Sequence, residues 1–220
     1  MKGMGMFSLR MIAKRLGLRQ AFTFLGSLLP YKPIIVPPAH WDKAWKRGVW
    51  DRIRVEPTSA SYRLLSGTCE AFLLNDGALL DLGCGEGLFP QQFCRELSFA
   101  YTGVDISSEA IERAEARADA RHEFFVAGIE SFVPSRKFNV ILFQECLCYF
   151  PRPVEIMRRY ADYLKSNGVL IVSLYHASST LKLFRQLDKE FDVVYRVDRF
   201  GRDQRPDGRI KVYAPRVRCM

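Results

Sequence analysis

The chain has 220 residues, of which 48% are hydrophobic and 26% are charged. This is the composition of one folded domain with an extension, and it is not that of a disordered chain. No stretch reaches the ~20 apolar residues that cross a bilayer, so a transmembrane protein is not expected. The six cysteines show no C-x-x-C spacing and no signal peptide precedes them, which indicates reduced thiols in the cytoplasm.

The formal net charge of +9 is concentrated at the two ends of the chain. The early cations are Lys2, Arg10, Lys14, Arg15 and Arg19, and the late cations are Arg196, Arg199, Arg202, Arg205, Arg209, Lys211, Arg216 and Arg218. A basic rim of this kind attracts phosphates, acidic glycans, nucleic acid or an anionic membrane. Solvated charges without a partner are the simpler interpretation of both clusters.

Residues 6–29 carry apolar side chains at helical spacing among the early cations, which predicts an amphipathic helix or helix pair. Three interpretations stay open: peripheral contact with the inner membrane surface, an organelle-targeting segment, or a helix that packs on the main domain or on a second subunit. Prolines between residues 30 and 38 end this segment. We therefore divide the chain into a basic amphipathic extension (1–40), a helical cap (41–75) and a main domain (76–220).

Strands and helices alternate regularly through the main domain. Strands are predicted at 78–82, 101–104, 124–127, 139–143, 169–174, 193–197 and 210–215. Helices are predicted at 88–97, 108–120, 153–164 and 179–191. This order predicts an α/β fold with a seven-stranded, mainly parallel sheet, helices on both faces and an antiparallel last strand.

A glycine-rich loop follows the first predicted strand and leads directly into a helix. Gly83, Gly85 and Gly87 alternate with Cys84 and Glu86, and glycine allows the backbone to turn tightly and approach a ligand. The helix that follows offers free N–H donors. A dinucleotide site is the alternative, but its G-x-G-x-x-G fingerprint requires glycine at position 88, which is leucine.

The segment Asp-Leu-Gly-Cys-Gly-Glu-Gly (81–87) resembles the first motif of class I S-adenosylmethionine-dependent methyltransferases, and Tyr-Thr-Gly-Val-Asp-Ile-Ser (101–107) resembles the second. The resemblance implies a Rossmann-like methyltransferase fold with S-adenosyl-L-methionine as cofactor. It also implies that Gly83 and Gly85 pass close to the methionine part, that Asp81 holds the amino group, and that Asp105 accepts the ribose hydroxyls. The implied cofactor-binding residues are Asp81, Gly83, Cys84, Gly85, Asp105, Ile106, Gly128, Ile129, Gln144 and Trp50.

The third motif departs from the family pattern. Family members often have an aspartate that accepts from the adenine amino group, and here Gly128 occupies that place. The backbone N–H of Ile129 is the contact to adenine that remains expected.

The segment after the fourth strand, residues 138–150, lacks the Asn/Asp-Pro-Pro-Tyr/Phe tetrad of the amino-methylating nucleic-acid enzymes and the double-glutamate hairpin of protein arginine methyltransferases. It resembles the nodulation N-methyltransferase-like branch, as does the leading pattern Trp41-Asp42-x-x-Trp45-x-x-Gly48-x-Trp50-Asp51 with Glu56 and Tyr62. The resemblance implies a small-molecule acceptor, so nucleic acid is not an expected partner.

Three residues are candidates for catalysis. His176 follows the fifth strand at the expected crevice and is the first candidate for a general base, although a structural histidine is an equal alternative. Glu145 is expected to orient an amine or hydroxyl, or to cap the following turn. Tyr149, with Trp45 and Trp50, is expected either to wall the sulfonium by cation–π contact or to belong to the core. No metal site is expected.

Together these features predict an enzyme that transfers a methyl group to an oxygen or nitrogen of a small molecule, with a sugar or glycan intermediate as the first candidate acceptor. The alternative is a membrane-surface lipid or natural-product methyltransferase. The second alternative is a non-catalytic module that binds S-adenosylmethionine. The sequence leaves the oligomeric state open.

Overall fold

A single seven-stranded sheet organises the computed structural model, which describes residues 31–51, 60–73, 76–92, 98–175, 177–200 and 206–216. The strands are β1 (Gly77–Leu82), β2 (Phe99–Asp105), β3 (His122–Val126), β4 (Phe138–Gln144), β5 (Leu164–Tyr175), β6 (Phe191–Phe200) and β7 (Pro206–Pro215). The helices are α1 (Pro38–Lys46), α2 (Ala60–Glu70), α3 (Leu88–Gln92), α4 (Ser108–Glu115), α5 (Pro153–Ala161) and α6 (Ser178–Glu190). A short 3₁₀ helix covers Leu147–Tyr149.

The strand order is β3-β2-β1-β4-β5-β7-β6. Strands β1 to β5 pair in parallel, and β7 pairs antiparallel with both β5 and β6. The strand order reverses between β1 and β4, because β2 and β3 follow on one side of β1 whereas β4 and β5 lie on the other. Sheets of this kind bind ligands outside the carboxyl ends of the strands at that point. The predicted fold class is confirmed.

The central strands are buried on both faces because helices cover both sides. Every residue of β1 is buried, and alternate side chains point to opposite faces. Leu80 packs in one cluster with α5 and α6 residues such as Ile156 and Leu183. Leu79 packs in the other cluster, where α2 contributes Leu65. Burial of each such side chain stabilises the fold by about 1.5 to 3 kcal/mol.

Some element boundaries differ from the prediction. The helix expected at 108–120 ends at Glu115, because the Asp119 side chain accepts from the Arg121 backbone and forms a polar turn before β3. The strand expected at 169–174 begins at Leu164, which pairs with Phe138 beyond a β-bulge. In the region expected to be a helical cap (41–75), the described residues contain α2 and most of α1, which begins at Pro38.

The late cations that the structure describes form ion pairs within the chain, and Arg199 and Lys211 are buried rather than solvated as expected. Arg196 and Arg209 both pair with Asp198. Lys211 donates to both oxygens of Asp188, at 2.7 and 2.6 Å, and Arg216 pairs with Asp192 at 3.1 Å. These strands carry acids as well as bases, so the basic rim is largely neutralised there.

Several predictions fall outside the described residues, namely the amphipathic helix at 6–29, Glu56 and His176. Within the described ranges, no helix has the length and hydropathy needed to cross a bilayer. The proposed division into extension, cap and main domain stays a prediction.

Candidate active site

The glycine loop after β1 adopts backbone conformations that favour glycine. Gly83, Gly85 and Gly87 have φ of +81°, +56° and +64°. The backbone N–H groups of Gly83 and Cys84 both donate to the Val104 carbonyl, at 2.8 and 3.1 Å. These bonds hold the loop against the end of β2.

Side chains on neighbouring elements close over this loop. A Cβ at Gly83 would lie 2.9 Å from Cβ of Cys146, and one at Gly85 would lie 2.8 Å from Cζ2 of Trp45. Contacts this short do not occur in stable structures. Because these two positions are glycines, the segment after β4 and the cap helix α1 can both approach the glycine loop closely.

Asp81, near the end of β1, is 1% exposed, and one of its oxygens has no hydrogen-bond partner among the described residues. The Tyr101 hydroxyl donates to Oδ2 at 2.8 Å, whereas no described residue donates to Oδ1. Burial raises the pKa of Asp81 to about 7. A buried carboxylate oxygen without a donor fits a ligand ammonium group or a bound water, which is the role that the resemblance implies.

Asp105, at the end of β2, is oriented by two backbone donors. The N–H of Gly85 donates to Oδ2 and the N–H of Ser107 donates to Oδ1, both at 2.9 Å. Each carboxylate oxygen has a second lone pair, so the fixed carboxylate still suits a pair of hydroxyl groups. Burial raises its pKa, although the backbone donors oppose this. The adjacent Ile106 is 41% exposed.

The third-motif residues lie just after β3, beside the end of β2. The Ala127 N–H donates to the Asp105 carbonyl at 2.9 Å, and the Gly128 carbonyl accepts from the N–H groups of Ser131 and Phe132. Ile129 is buried, and its carbonyl accepts from the Tyr160 hydroxyl at 2.7 Å. These bonds fix Gly128 and Ile129 next to the predicted ribose site.

The cap helix α1 is fastened to the start of α4. Asp42 accepts from the Ser107 hydroxyl at 2.6 Å, and Arg113 donates to the Trp45 carbonyl at 3.1 Å. The Trp45 and Trp50 rings lie 6.3 Å apart. The structure therefore brings Trp45 to the glycine loop and places Trp50 beside Trp45.

On the other side of the site, Glu145 follows β4 with φ of +54°, unusual for a residue with a side chain. Its Oε2 accepts from the Tyr175 N–H at 2.7 Å, and its Oε1 accepts from the Ser173 hydroxyl and from Arg199, both at 3.3 Å. Burial raises its pKa to about 7, and Arg199 opposes that rise.

The remaining acceptor-side candidates are tyrosines and an amide. Gln144 hydrogen-bonds the side chain of Tyr62, which comes from α2. The Tyr149 ring packs edge-on against Trp41 with a centroid distance of 5.0 Å. Burial raises the pKa of Tyr149 to about 12, so this phenol keeps its proton at neutral pH. Within the described ranges, no three His, Cys, Asp or Glu side chains are grouped in a way that would hold a metal ion.

Arg199 belongs to this site, although the sequence predicts it as one cation of a solvated rim. The residue is 7% exposed and lies beside Glu145. The feature of the sequence that relates to this position is Gly208, which pairs with Arg199 between β6 and β7.

Comparisons with known proteins agree with this geometry. A family model described as a methyltransferase domain matches residues 59–215. A ubiquinone biosynthesis O-methyltransferase of Rhodopseudomonas palustris (strain HaA2) is 28% identical over 144 residues, which cover 60% of this chain and 55% of that protein. Another protein of that name, from Actinobacillus pleuropneumoniae, is 31% identical over 115 residues and 48% of each chain. The chain thus spans about half the length of these relatives.

Among solved structures, the N-methyltransferase NodS from Bradyrhizobium japonicum WM9, in complex with S-adenosyl-L-homocysteine, has a TM-score of 0.64 at 17% identity. The match covers 80% of this chain and 99% of that one. The plantazolicin methyltransferase BpumL, also bound to that product, has a TM-score of 0.58 at 16% identity, over 80% and 94% of the two chains. At these identities the likeness concerns the fold. The family match over most of the chain confirms the motif-based prediction: this chain belongs to the methyltransferase-domain family and has the fold of class I S-adenosylmethionine-dependent methyltransferases.

Proposed function

We propose that this protein is an enzyme that transfers a methyl group from S-adenosylmethionine to an oxygen atom of a small molecule. The observation that carries the proposal is the buried Asp81 carboxylate beside the glycine loop, whose Oδ1 has no donor among the described residues. An aliphatic ammonium group next to that oxygen would restore the missing partner and neutralise the buried charge.

The cofactor would lie across the ends of β1, β2 and β3. In this arrangement Asp81 receives the amino group, Gly83, Cys84 and Gly85 line the methionine part, and Asp105 accepts the ribose hydroxyls. Ile106 and the N–H of Ile129, after Gly128, border the adenine. Trp50 and Gln144 close the site from the cap and from the end of β4.

The acceptor would approach from the side of Glu145 and Tyr149. When bound, the sulfonium cofactor supplies an electrophilic methyl group. The acceptor oxygen would form the new O–CH₃ bond as the S–CH₃ bond broke, and the bonding pair would stay on sulfur. Glu145 would take the hydroxyl proton, which would then pass to solvent, and a carboxylate with a pKa near neutrality suits that task. Most of the acceleration would come from positioning the two reactants in line.

The relatives named O-methyltransferases favour oxygen over nitrogen as the acceptor atom. Their names refer to ubiquinone biosynthesis, which favours the natural-product or lipid class over the sugar or glycan class. Both acceptor classes stay predictions, as does the cytoplasmic or peripheral membrane location. His176 is the alternative base to Glu145, and that role also stays a prediction.

Calorimetry on the full chain tests the cofactor half of the proposal. S-adenosylmethionine and S-adenosylhomocysteine should both bind, and Asp105→Ala should weaken both. Asp119→Asn, which changes an exposed aspartate in the turn before β3, is the matched control and should bind normally. If neither ligand binds the wild-type chain, the proposal is wrong.

A labelled-methyl assay tests the acceptor half. Panels of hydroxylated aromatic compounds, sugars and amines would be incubated with the wild-type chain and the labelled donor. We expect label in a hydroxylated acceptor. If the cofactor binds and no compound of these panels becomes labelled, a non-catalytic module that binds S-adenosylmethionine is the better explanation.

A further inference from the structure

Three residues lie in one row across the last three strands of the sheet. Gly208 of β7 pairs with Tyr175 of β5 on one side and with Arg199 of β6 on the other. A Cβ at Gly208 would overlap the Arg199 guanidinium, so the arginine side chain passes through the space that the glycine leaves open. The guanidinium lies 4.9 Å from the centroid of the Tyr175 ring.

Through the space beside Gly208, the Arg199 side chain of the edge strand β6 reaches Glu145 in the predicted acceptor site. Nη2 of Arg199 donates to Oε1 of Glu145 at 3.3 Å. Removing a guanidinium from water costs several kcal/mol unless a well-placed anion offsets the loss, and Glu145 is that anion. The geometry thus couples β6 to the end of β4, although β7 and β5 lie between these two strands in the sheet.

We propose that Arg199 is a positioning residue for methyl transfer, which fixes the Glu145 carboxylate in the orientation that receives the proton of the acceptor hydroxyl. The inference rests on the proposed function, since it assigns Glu145 a part in that reaction. In the transfer itself the O–CH₃ bond forms, the S–CH₃ bond breaks with its electron pair on sulfur, and the proton moves to Glu145. Arg199 touches neither reactant.

The groups that face Glu145 come from several elements. Among the described residues they are Arg199 from β6, Tyr62 from α2, and Cys146, Cys148 and Tyr149 from the segment after β4. Burial raises the pKa of each of these tyrosines and thiols, so they are neutral at neutral pH. Among these groups Arg199 alone is charged, and it opposes the burial that raises the pKa of Glu145 to about 7.

Direct titration of Glu145 tests the inference without turnover. The carboxyl ¹³C signal of Glu145 in the full chain would be assigned by comparison with Glu145→Gln and followed against pH. Arg199→Gln should raise the pKa of Glu145 by about 1 to 2, the size expected for loss of a nearby opposite charge. Arg196→Gln changes a half-exposed arginine of the same strand, paired with Asp198, and should leave the pKa unchanged.

A second variant keeps the arginine and moves it. Gly208→Ala should displace the guanidinium and raise the Glu145 pKa in the same direction as Arg199→Gln, whereas Arg199→Lys should recover part of the wild-type value. If the pKa is unchanged in both Arg199→Gln and Gly208→Ala, the inference is overturned.

Kinetics provide the complementary readout. At pH 7 the kcat of Arg199→Gln should fall about 5- to 50-fold, which is the loss of ionised Glu145 when its pKa rises by about 1 to 2, and it should recover toward pH 9. The KM for S-adenosylmethionine should stay the same. An equal loss at both pH values would contradict a role through Glu145. Failure of the wild-type chain to transfer methyl would refute the proposed function, while an unshifted Glu145 in an active wild-type background would refute this inference alone.

Discussion

Asp81 is a buried acid whose proton affinity should be visible in the stability of the cofactor-free protein. Burial raises its pKa from 3.8 to about 7 in the folded state. The folded chain therefore holds a proton that the unfolded chain has released, and the stability contributed by this group is present below about pH 4 and lost as the pH rises to about 7.

The variant Asp81→Asn removes this titration. We expect the free energy of unfolding of the wild type, relative to Asp81→Asn, to fall by a few kcal/mol between about pH 4 and pH 7 and to stay level above that range. Urea unfolding at a series of pH values measures the difference. A difference that does not depend on pH would mean that Asp81 titrates normally.

Gly85 is the residue where backbone conformation and close packing coincide. Gly85→Ala would force a side chain into a backbone with φ of +56°, at about 1 to 2 kcal/mol, and would push the Trp45 ring off the loop. Unfolding in urea should show that loss, and calorimetry should show weaker cofactor binding. Gly67→Ala is the control, because a Cβ there meets nothing within 4 Å and the change should stabilise α2 by about 0.5 to 1 kcal/mol.

At the scale of elements, the contact between α1 and α4 depends on Asp42. Its Oδ1 accepts from the Ser107 hydroxyl at 2.6 Å and lies near the N-terminus of α4, where a negative charge is favourable. Asp42→Ala should release α1 from the glycine loop while the sheet stays intact. Hydrogen exchange of residues 38–46 should become faster, with β1 and β4 unchanged.

The control for this prediction is Lys43→Ala, which changes an exposed neighbour in the same helix. It should leave the exchange of α1 close to that of the wild type. If Asp42→Ala does the same, the packing of Trp45 and the bond from Arg113 to its carbonyl suffice to hold the cap, and the bond to Ser107 is incidental.

The apolar runs predict the central strands well, because these strands are covered on both faces. Residues 78–82 and 139–143 correspond to β1 and β4 within one residue at each end. Edge strands are different, since pairing with a neighbour extends them into polar sequence. The prediction of 193–197 for β6 falls short of Phe191–Phe200 because the ladder with β7 includes charged residues that hydropathy does not mark.

In the candidate site, too, the sequence predicts some residues and not others. The glycine spacing and the acids at strand ends predict Asp81, Gly85 and Asp105, and the structure brings these residues together although their cofactor contacts stay proposals. Arg199 could not be found in this way, because its path to Glu145 depends on the register that sets it opposite Gly208. A sequence pattern rarely fixes the register of an edge hairpin.

For the whole molecule, the distribution of charge leads to a prediction about membranes. Residues 1–30 contain five cations and no acid, whereas late cations such as Arg209 and Lys211 are paired with carboxylates in the described structure. The excess positive charge of the sequence is therefore concentrated in the first 30 residues. Each cation at an anionic bilayer contributes about 1 kcal/mol, and salt screens this attraction.

Deleting residues 1–30 tests whether this charge directs the protein to a membrane surface. The deletion retains Tyr31, whose hydroxyl donates to the Cys148 carbonyl at 2.7 Å, so cofactor binding should be unchanged. The full chain should sediment with phosphatidylserine-containing vesicles at low salt and much less at high salt, and the deletion should not sediment with them. Replacement of the five cations by glutamine separates charge from hydrophobic insertion, because only insertion would survive it. Equal sedimentation of the full chain and the deletion would show that the first 30 residues do not carry membrane binding, and would remove the support for a membrane-surface acceptor.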